Sequence, residues 1–249
     1  MSSLACPYCK SALQEGADFC TSCAQVWPRS GEWTDFRGSQ PLSPAVATNL
    51  WPLTAWGYEA WRARALSLLS GRPFPLSEEL GRMQERLEPV RGGVFLDLGT
   101  ATGLYARALL RAGAARVYAL DLSPAMLRVA RRRAQGLEGF VPLLARAEAL
   151  PLCAASLDGV AVGGSWNEFA EPAAVALEVA RVLRPGGRLW LGFTHRSGSP
   201  LQRAFGQAGL RFPRLEDLLA LLAPLGFALE GWREGSVGFV AGTKLPTGE

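Results

Sequence analysis

The chain has 249 residues, of which 49% are hydrophobic, so it can bury a large core and form one large domain beside a small one. Its formal net charge of +4 is too small to indicate a nucleic-acid-binding protein by itself. No apolar run is long enough to cross a bilayer, and the first residues lack the basic and apolar segments of a signal peptide. We therefore expect a cytoplasmic protein without a membrane span.

Four of the five cysteines lie near the start of the chain, in two Cys-x-x-Cys pairs. Two such turns supply the four thiolates of a tetrahedral zinc site, so residues 1–30 are predicted to form a zinc ribbon with ligands Cys6, Cys9, Cys20 and Cys23. Four cysteines leave no open coordination position, which makes the predicted zinc structural. An iron–sulfur centre or a redox dithiol is the alternative. The ribbon either recognises a partner or braces the neighbouring domain, and the sequence leaves both open.

Residues 31–90 are predicted to be a linker followed by an aromatic helical lid. The segment 30–52 has no sustained period and is typical of a connector. Helices are predicted from Trp61 to Leu69 and from Leu76 to Leu87, the second starting with Ser77 and two glutamates. The tryptophans before and within the first helix either pack it onto the main domain or line a substrate pocket.

Residues 91–249 alternate apolar runs with helical patterns, which predicts a parallel, doubly wound α/β sheet. The predicted parallel strands are Val94–Leu98, Arg116–Leu120, Val141–Leu144, Leu157–Val162 and Arg188–Phe193. Two further strands, Phe227–Trp232 and Ser236–Lys244, are joined by a turn and predict a closing antiparallel hairpin.

The first strand-turn-helix unit predicts a cofactor site. Its turn contains Gly99 and Gly103 with Ala101 between them, so the three-glycine pattern of dinucleotide folds is incomplete. S-adenosylmethionine has no phosphate to bind and does not require that pattern. Asp97 would then face the amino-acid end of the ligand, and Asp121, at the end of the second strand, would accept its two ribose hydroxyls.

Four segments in order resemble the motifs of class I S-adenosylmethionine-dependent methyltransferases of the type 11 group: residues 96–103, 119–127, 147–151 and 178–187. The resemblance implies a Rossmann-like sheet of seven strands, with the cofactor at the carboxyl ends of the first four. It also implies methyl transfer by in-line displacement at sulfur. With the ribbon added, the chain is similar to ribosomal RNA guanine-N1 methyltransferases and to uncharacterised ribbon-bearing methyltransferases of plastids and bacteria.

The family pattern assigns roles to particular residues of this chain. Leu122 and Met126 would flank the adenine of the cofactor, while the residues of the first turn and Asp121 hold its methionine and ribose parts. The position before Ala147 carries an acid in the family and Arg146 here. The backbone near Ala147 is therefore the expected contact of the adenine amino group.

The methyl acceptor is less well defined by the sequence. Glu168 and His195 each follow a predicted strand and are the candidate general bases. An RNA base is favoured as acceptor by the ribbon and a pI near 9.0. A small molecule of the quinone or natural-product kind is the alternative, and a non-catalytic cofactor-binding module is a second alternative. The oligomeric state is not predicted.

Overall fold

The protein folds around one mixed β-sheet covered by helices, as seen in a computed structural model that describes residues 3–14 and 16–246. The strands in these ranges are β1 Arg29–Ser30, β2 Trp33–Phe36, β3 Val94–Leu98, β4 Arg116–Asp121, β5 Phe140–Ala145, β6 Leu157–Gly163, β7 Leu183–Thr194, β8 Phe227–Glu234 and β9 Val237–Lys244. The helices are α1 Pro44–Ala47, α2 Pro52–Ser70, α3 Leu76–Arg86, α4 Leu104–Arg111, α5 Pro124–Arg133, α6 Pro172–Val182, α7 Pro200–Gln207 and α8 Leu215–Leu222. Single turns of 3₁₀ helix cover Thr48–Leu50, Ser165–Glu168 and Ala223–Leu225.

Seven strands form the predicted Rossmann-like sheet, in the order β5-β4-β3-β6-β7-β9-β8. Strands β3 to β7 are parallel, and β9 lies antiparallel between β7 and β8. The predicted fold class and the closing hairpin are therefore confirmed. The strand order reverses at β3, which has β4 on one side and β6 on the other. Parallel sheets bind ligands in the crevice that such a reversal leaves at the carboxyl ends of the strands.

The sheet is longer than the resemblance implies, because part of the predicted connector joins it. Strand β2 pairs parallel with β5, Asp35 opposite Leu144, and β1 pairs antiparallel with β2. The edge of β5 presents unpaired backbone groups, which a short adjacent strand can satisfy. The prediction that residues 30–52 form only an irregular connector is wrong at residues 33–36. The predicted ribbon boundary at residue 30 falls in this hairpin.

Two other elements differ from their predicted bounds. Helix α2 begins at Pro52 rather than at Trp61, since proline is favoured at the first helical position. Strand β7 is continuous from Leu183, but its pairing with β6 shifts so that residues 184–187 bulge out of the ladder. The Arg-Pro-Gly-Gly end of the motif at residues 178–187 therefore forms a bulge within a strand, at which Gly186 has φ +78°.

The amino-terminal segment packs directly on the sheet domain. Leu4 forms a β-bridge with Leu152, and the Ala5 N–H donates to the Pro151 carbonyl oxygen at 3.1 Å. The Lys10 ammonium pairs with the Glu178 carboxylate on α6 at 2.9 Å. Leu4, Cys6 and Cys20 are buried in the same apolar cluster as strands β3, β6 and β7. This segment therefore braces one face of the sheet.

The opposite face of the sheet is covered by α3 and α4, whose apolar side chains form a second cluster with β3, β4 and β9. Helix α2 lies beyond these helices, against α3, α5 and β9. Among the described residues, no helix combines the length and the hydropathy that crossing a membrane requires.

Candidate active site

A cavity of about 510 Å³ lies where β3, β4, β6 and β7 end. One wall consists of the residues that follow these strands. The other wall consists of residues 41–50 of the connector and the inner side of α2. Residues 41–50 and α2 thus enclose the crevice at the carboxyl ends of the parallel strands.

The turn after β3 has the conformation that its glycine predicts. Gly99 has φ +71°, and a Cβ there would lie 2.3 Å from the Ser165 hydroxyl oxygen, so no larger residue fits. Asp97 lies beneath the turn, where its carboxylate accepts hydrogen bonds from the Thr100 hydroxyl (2.6 Å) and the Ala106 N–H (2.9 Å). Burial raises the pKa of Asp97 to about 6.

Asp97 and Gly103 do not line the cavity, although both were predicted to be cofactor residues. Asp97 is only 2% exposed, and its Oδ2 accepts both of these hydrogen bonds, so its contact with the ligand's amino-acid end stays a prediction. Gly103 has φ +79° and packs against Ala130 of α5. The two residues hold the turn in place from behind, and the other six predicted cofactor residues line the cavity: Gly99, Ala101, Asp121, Leu122, Met126 and Ala147.

Asp121 is fixed at the end of β4 by backbone donors. Its Oδ2 accepts from the Ala101 N–H and its Oδ1 from the Ser123 N–H, both at 2.8 Å. Burial raises the pKa of Asp121 to about 6. Each carboxylate oxygen retains acceptor capacity toward the cavity, which fits a pair of hydroxyl donors on one ligand. Two neighbouring ribose hydroxyls are such a pair.

Arg146 has a role that the sequence did not predict. It is 7% exposed, and its guanidinium donates to the carbonyl oxygens of Arg37 (2.9 Å, from Nε) and Gln40. Arg37 in turn donates to the Leu122 carbonyl oxygen at 3.1 Å. The residue that replaces the family's acid therefore ties the connector to the end of the cavity that contains Leu122.

Glu168 lies on the cavity wall, in the 3₁₀ turn after β6. Its Oε2 accepts a hydrogen bond from the Asn49 side-chain amide at 2.8 Å. Burial, together with the negative charge of Asp121, raises the pKa of Glu168 to about 7. A carboxyl group that titrates near neutrality is suited to accept a proton from a bound ligand. Asn49 was not predicted as a site residue, since it lies more than 40 residues before β3.

His195 lies outside this cavity. It is 5% exposed, and its Nδ1 is 2.8 Å from the Arg196 carbonyl oxygen, so Nδ1 carries the proton. Its Nε2 has no hydrogen-bond partner within the described residues. Both candidate bases follow a strand, but only Glu168 lies at the cavity.

The end of the cavity beneath α2 carries a buried ion pair that sequence reasoning missed. The Glu79 Oε1 accepts from the Arg62 guanidinium and from the Tyr105 hydroxyl at 2.6 Å. Glu79 is 1% exposed, and its Oε2 has no partner among the described residues. Both Arg62 and Glu79 line the cavity. Glu79 follows Ser77 and Glu78 and has the sequence context of a solvated helix start, so only the packing of α2 reveals it.

The aromatic residues of the predicted lid divide between cavity and solvent. Tyr58 and Trp61 line the cavity, whereas Trp51 and Trp56 do not. Burial raises the pKa of the Tyr58 hydroxyl far above its ordinary value. The remaining wall at this end is apolar and is formed by Ala65, Leu66, Leu69, Phe193, Val237 and Phe239.

The four predicted zinc ligands are brought together at the amino terminus. All four Sγ atoms lie within 4.8 Å of one another, and the pairs Cys6–Cys23 and Cys9–Cys20 are each 3.6 Å apart. A tetrahedral zinc ion with Zn–S bonds of about 2.3 Å holds its sulfur atoms about 3.8 Å apart. The spacing of the thiols is compatible with such a site. Cys153 is separate, and its thiol donates to the Leu4 carbonyl oxygen.

The profile of the methyltransferase domain family matches residues 96–191, which include the turn after β3, Asp121 and Glu168. An uncharacterised methyltransferase of Mycobacterium tuberculosis is 43% identical over 110 residues, 44% of this chain and 43% of that protein. The demethylmenaquinone methyltransferase of Clavibacter sepedonicus is 40% identical over 101 residues, 41% of each chain. The chain therefore spans less than half the length of these relatives.

A solved structure gives the same fold over a longer range. The phosphoethanolamine N-methyltransferase 2 of Haemonchus contortus, in complex with S-adenosylhomocysteine, superposes with a TM-score of 0.63 at 17% identity. The superposition covers 78% of this chain and 60% of that one. Residues 96–191 therefore match a methyltransferase domain, and the chain has the Rossmann-like fold of this solved methyltransferase.

Proposed function

We propose that the protein transfers a methyl group from S-adenosylmethionine to an apolar small molecule. The observation that carries the proposal is the single cavity that begins at Asp121 and continues beneath α2 to Phe239. Its volume of about 510 Å³ is in the range of small-molecule sites. One end has the groups to hold the methyl donor, and the other has an apolar wall to hold an acceptor.

The donor end binds and orients through this chain's own residues. Asp121 accepts the hydrogen bonds of two ribose hydroxyls, and the backbone of the turn at Gly99 and Ala101 lies beside it. Leu122 and Met126 provide apolar surface for a purine ring. When bound, S-adenosylmethionine supplies an activated methyl group on a sulfonium. The protein's contribution to the transfer is then to hold the acceptor atom in line with that methyl group.

Glu168 is the proposed proton acceptor. It lies on the cavity wall beyond Asp121, and its pKa of about 7 leaves much of it ionised at neutral pH. The Asn49 amide donates to one carboxylate oxygen and leaves the other available. An acceptor that loses a proton on methylation, such as a phenol or an activated carbon acid, would transfer it to this oxygen.

An apolar small molecule is favoured over an RNA base by the far end of the cavity. The wall of aliphatic and aromatic side chains lies beneath α2, and a base attached to a polymer would require that helix to move. The lysine of the ribbon, Lys10, is paired with Glu178 and is not available for a phosphate. The name of the Clavibacter sepedonicus relative, demethylmenaquinone methyltransferase, is in line with an apolar acceptor.

The test is methyl transfer from isotopically labelled S-adenosylmethionine to a bacterial lipid extract and, in parallel, to total bacterial RNA. We expect label in the lipid extract and none in the RNA. Label in the RNA alone would show that the acceptor is an RNA base rather than an apolar small molecule. Absence of transfer to either would contradict both acceptors, and S-adenosylmethionine binding without transfer would favour a non-catalytic cofactor-binding module.

Binding of the methyl donor is tested by calorimetry on the Asp121→Ala variant. We expect the substitution to abolish detectable binding, because the ribose hydroxyls lose their acceptor in a buried site. The control is Glu138→Ala, which removes an exposed carboxylate in the loop after α5 and should leave the affinity unchanged. Unchanged affinity in Asp121→Ala would refute the assignment of the ribose site.

We also propose that Cys6, Cys9, Cys20 and Cys23 hold a structural zinc ion. Their sulfur spacing fits a tetrahedral site, and the segment packs on the sheet through Leu4 and Lys10. These contacts favour bracing of the domain over recognition of a partner.

A further inference from the structure

Helix α2 differs from an ordinary surface helix because it exposes large apolar side chains, although it also buries Ala55, Ala65 and Leu66. Surface helices turn apolar side chains toward the core and charged ones toward water. Here Arg62 is buried beside Glu79, and Glu59 pairs inward with Arg107 of α4 and Arg133 of α5. The large apolar side chains at the start of and along α2, which are between 63% and 83% exposed, point outward: Trp51, Leu53, Trp56, Trp61 and Leu68.

Leu53, Trp56 and Leu68 form one stripe with Ala60 and Arg64. These five residues follow one another at intervals of three or four, which places them on one side of a helix. The stripe from Leu53 to Leu68 is about 22 Å long at about 1.5 Å per residue. Its only charged residue is Arg64. Of the twelve exposed large apolar residues in the described part of the chain, five lie between Trp51 and Leu68.

Basic residues flank the stripe on α5. Trp56 shares a surface groove with Arg128 and Arg132. These two arginines and Arg64 form no ion pair within residues 3–14 and 16–246. The neighbouring acids are neutralised, since Glu59 pairs with Arg133 and Glu32 with Arg131. The surface therefore combines exposed tryptophan and leucine with unpaired positive charge.

We propose that this surface, Trp51 to Leu68 of α2 with Arg128 and Arg132 of α5, docks on the surface of an anionic lipid bilayer. Tryptophan is favoured at the interface of a bilayer, leucine enters the acyl region, and arginine attracts anionic headgroups. RNA fits this surface less well, because exposed leucines offer it neither charge nor a stacking face. The helix would lie in the plane of the interface rather than span the membrane.

The same helix connects the proposed bilayer contact to the cavity. Trp61 is 63% exposed and also lines the cavity, and Ala65 and Leu66 on its inner side continue the cavity wall. An apolar acceptor dissolved in the bilayer would then enter the cavity beside α2 without crossing water. This last step rests on the proposed function, whereas the docking itself does not.

Docking is measured by cosedimentation of the full chain with vesicles of equal parts phosphatidylcholine and phosphatidylglycerol, and with vesicles of phosphatidylcholine alone. We expect binding to the anionic vesicles, a shift of tryptophan emission to shorter wavelength, and weaker binding as salt is raised. The variant Leu53→Ser/Trp56→Ser should bind at least about tenfold more weakly. The variant Arg128→Gln/Arg132→Gln should also lose about tenfold or more.

The matched controls change exposed residues elsewhere. Leu177→Ser alters an exposed leucine on α6, which packs with α8, and Arg233→Gln alters an exposed arginine on β8. Both should bind the anionic vesicles like the unmodified chain. Because all substituted side chains are exposed, the variants should retain the circular dichroism and unfolding temperature of the parent.

Several results would overturn the proposal. One is that the chain does not bind anionic vesicles at all, and another is that the variant Leu53→Ser/Trp56→Ser binds them as tightly as the unmodified chain. Self-association in the ultracentrifuge that this variant removes, without vesicle binding, would assign the surface to a second copy of the chain. RNA binding that it removes, again without vesicle binding, would assign the surface to RNA. The vesicle assay contains neither methyl donor nor acceptor, so its failure is distinct from failure of methyl transfer.

Discussion

The substitution Glu168→Gln should change stability and activity in opposite directions. The pKa of Glu168 is raised from an ordinary 4.5 to about 7, chiefly because burial disfavours the charged form. The folded protein therefore binds this proton more tightly than the unfolded chain does. Stability from this group is complete below pH 4.5 and is lost as the pH rises through 7. At about 1.4 kcal/mol per pKa unit, ionisation costs the folded state up to ~3 kcal/mol above pH 7.

Glutamine at this position carries no charge and can still accept a hydrogen bond from Asn49. At pH 8 we expect Glu168→Gln to unfold at a temperature roughly 6–12 °C higher than the parent, and at pH 5 to differ little. If Glu168 accepts the proton of the acceptor, the variant should lose about 100- to 10,000-fold in kcat. The parent's rate should rise with pH and level off above about pH 7.

The measurements are thermal unfolding at the two pH values and methyl transfer across the same range. The control is Glu171→Gln, an exposed carboxylate three residues further along, which should alter neither. A stability difference that is the same at pH 5 and pH 8 would refute the burial argument. Full activity in Glu168→Gln would refute the role as base while leaving the burial argument intact.

Three further substitutions or treatments test the surrounding structure. Arg146→Met should weaken S-adenosylmethionine binding about tenfold in calorimetry and speed proteolysis at residues 37–40. Unchanged cleavage would show that the hydrogen bonds of Arg146 do not hold the connector in place. Arg62→Met leaves the Glu79 carboxylate buried without a counter-charge, so urea unfolding should show a loss of about 3–5 kcal/mol. The double variant Arg62→Met/Glu79→Leu should regain part of this free energy of unfolding. If its loss equals the sum of the losses of the two single variants, Arg62 and Glu79 do not interact. A chelator should release about one zinc per chain and make the amino-terminal segment susceptible to protease. If the metal-free protein resists protease as well as the untreated protein does, the zinc is not structural.

The strand-turn-helix unit could be predicted because its signals are local. A continuous apolar run predicts a strand buried on both faces, and the bounds of β3, Val94–Leu98, are as predicted. Gly99 permits the positive φ of the turn, and Asp121 follows the next strand at the edge where parallel strands end. The roles of the individual cofactor residues stay predictions until binding is measured.

Other features depend on contacts between distant parts of the chain. Strand β2 has only four residues and becomes a strand because the edge of β5 is available to it. Position after a strand suggested both Glu168 and His195 as bases, but strand β7 continues into a segment that turns His195 away from the cavity. No local sequence pattern distinguishes Glu168 from His195.

The sequence by itself determined the type of fold, the turn after β3 and the four-cysteine cluster. Each of these follows from residue types at short spacing, through backbone conformation, strand burial or thiolate coordination. Only the tertiary structure decided which side of α2 faces inward, and thereby buried Arg62 with Glu79 and left Trp56 in solvent. Helical periodicity could not predict this, because both sides of α2 carry apolar and charged residues. The proposed acceptor end of the cavity and the proposed bilayer surface both depend on that orientation, in which Glu59 and Arg62 pair with neighbouring helices.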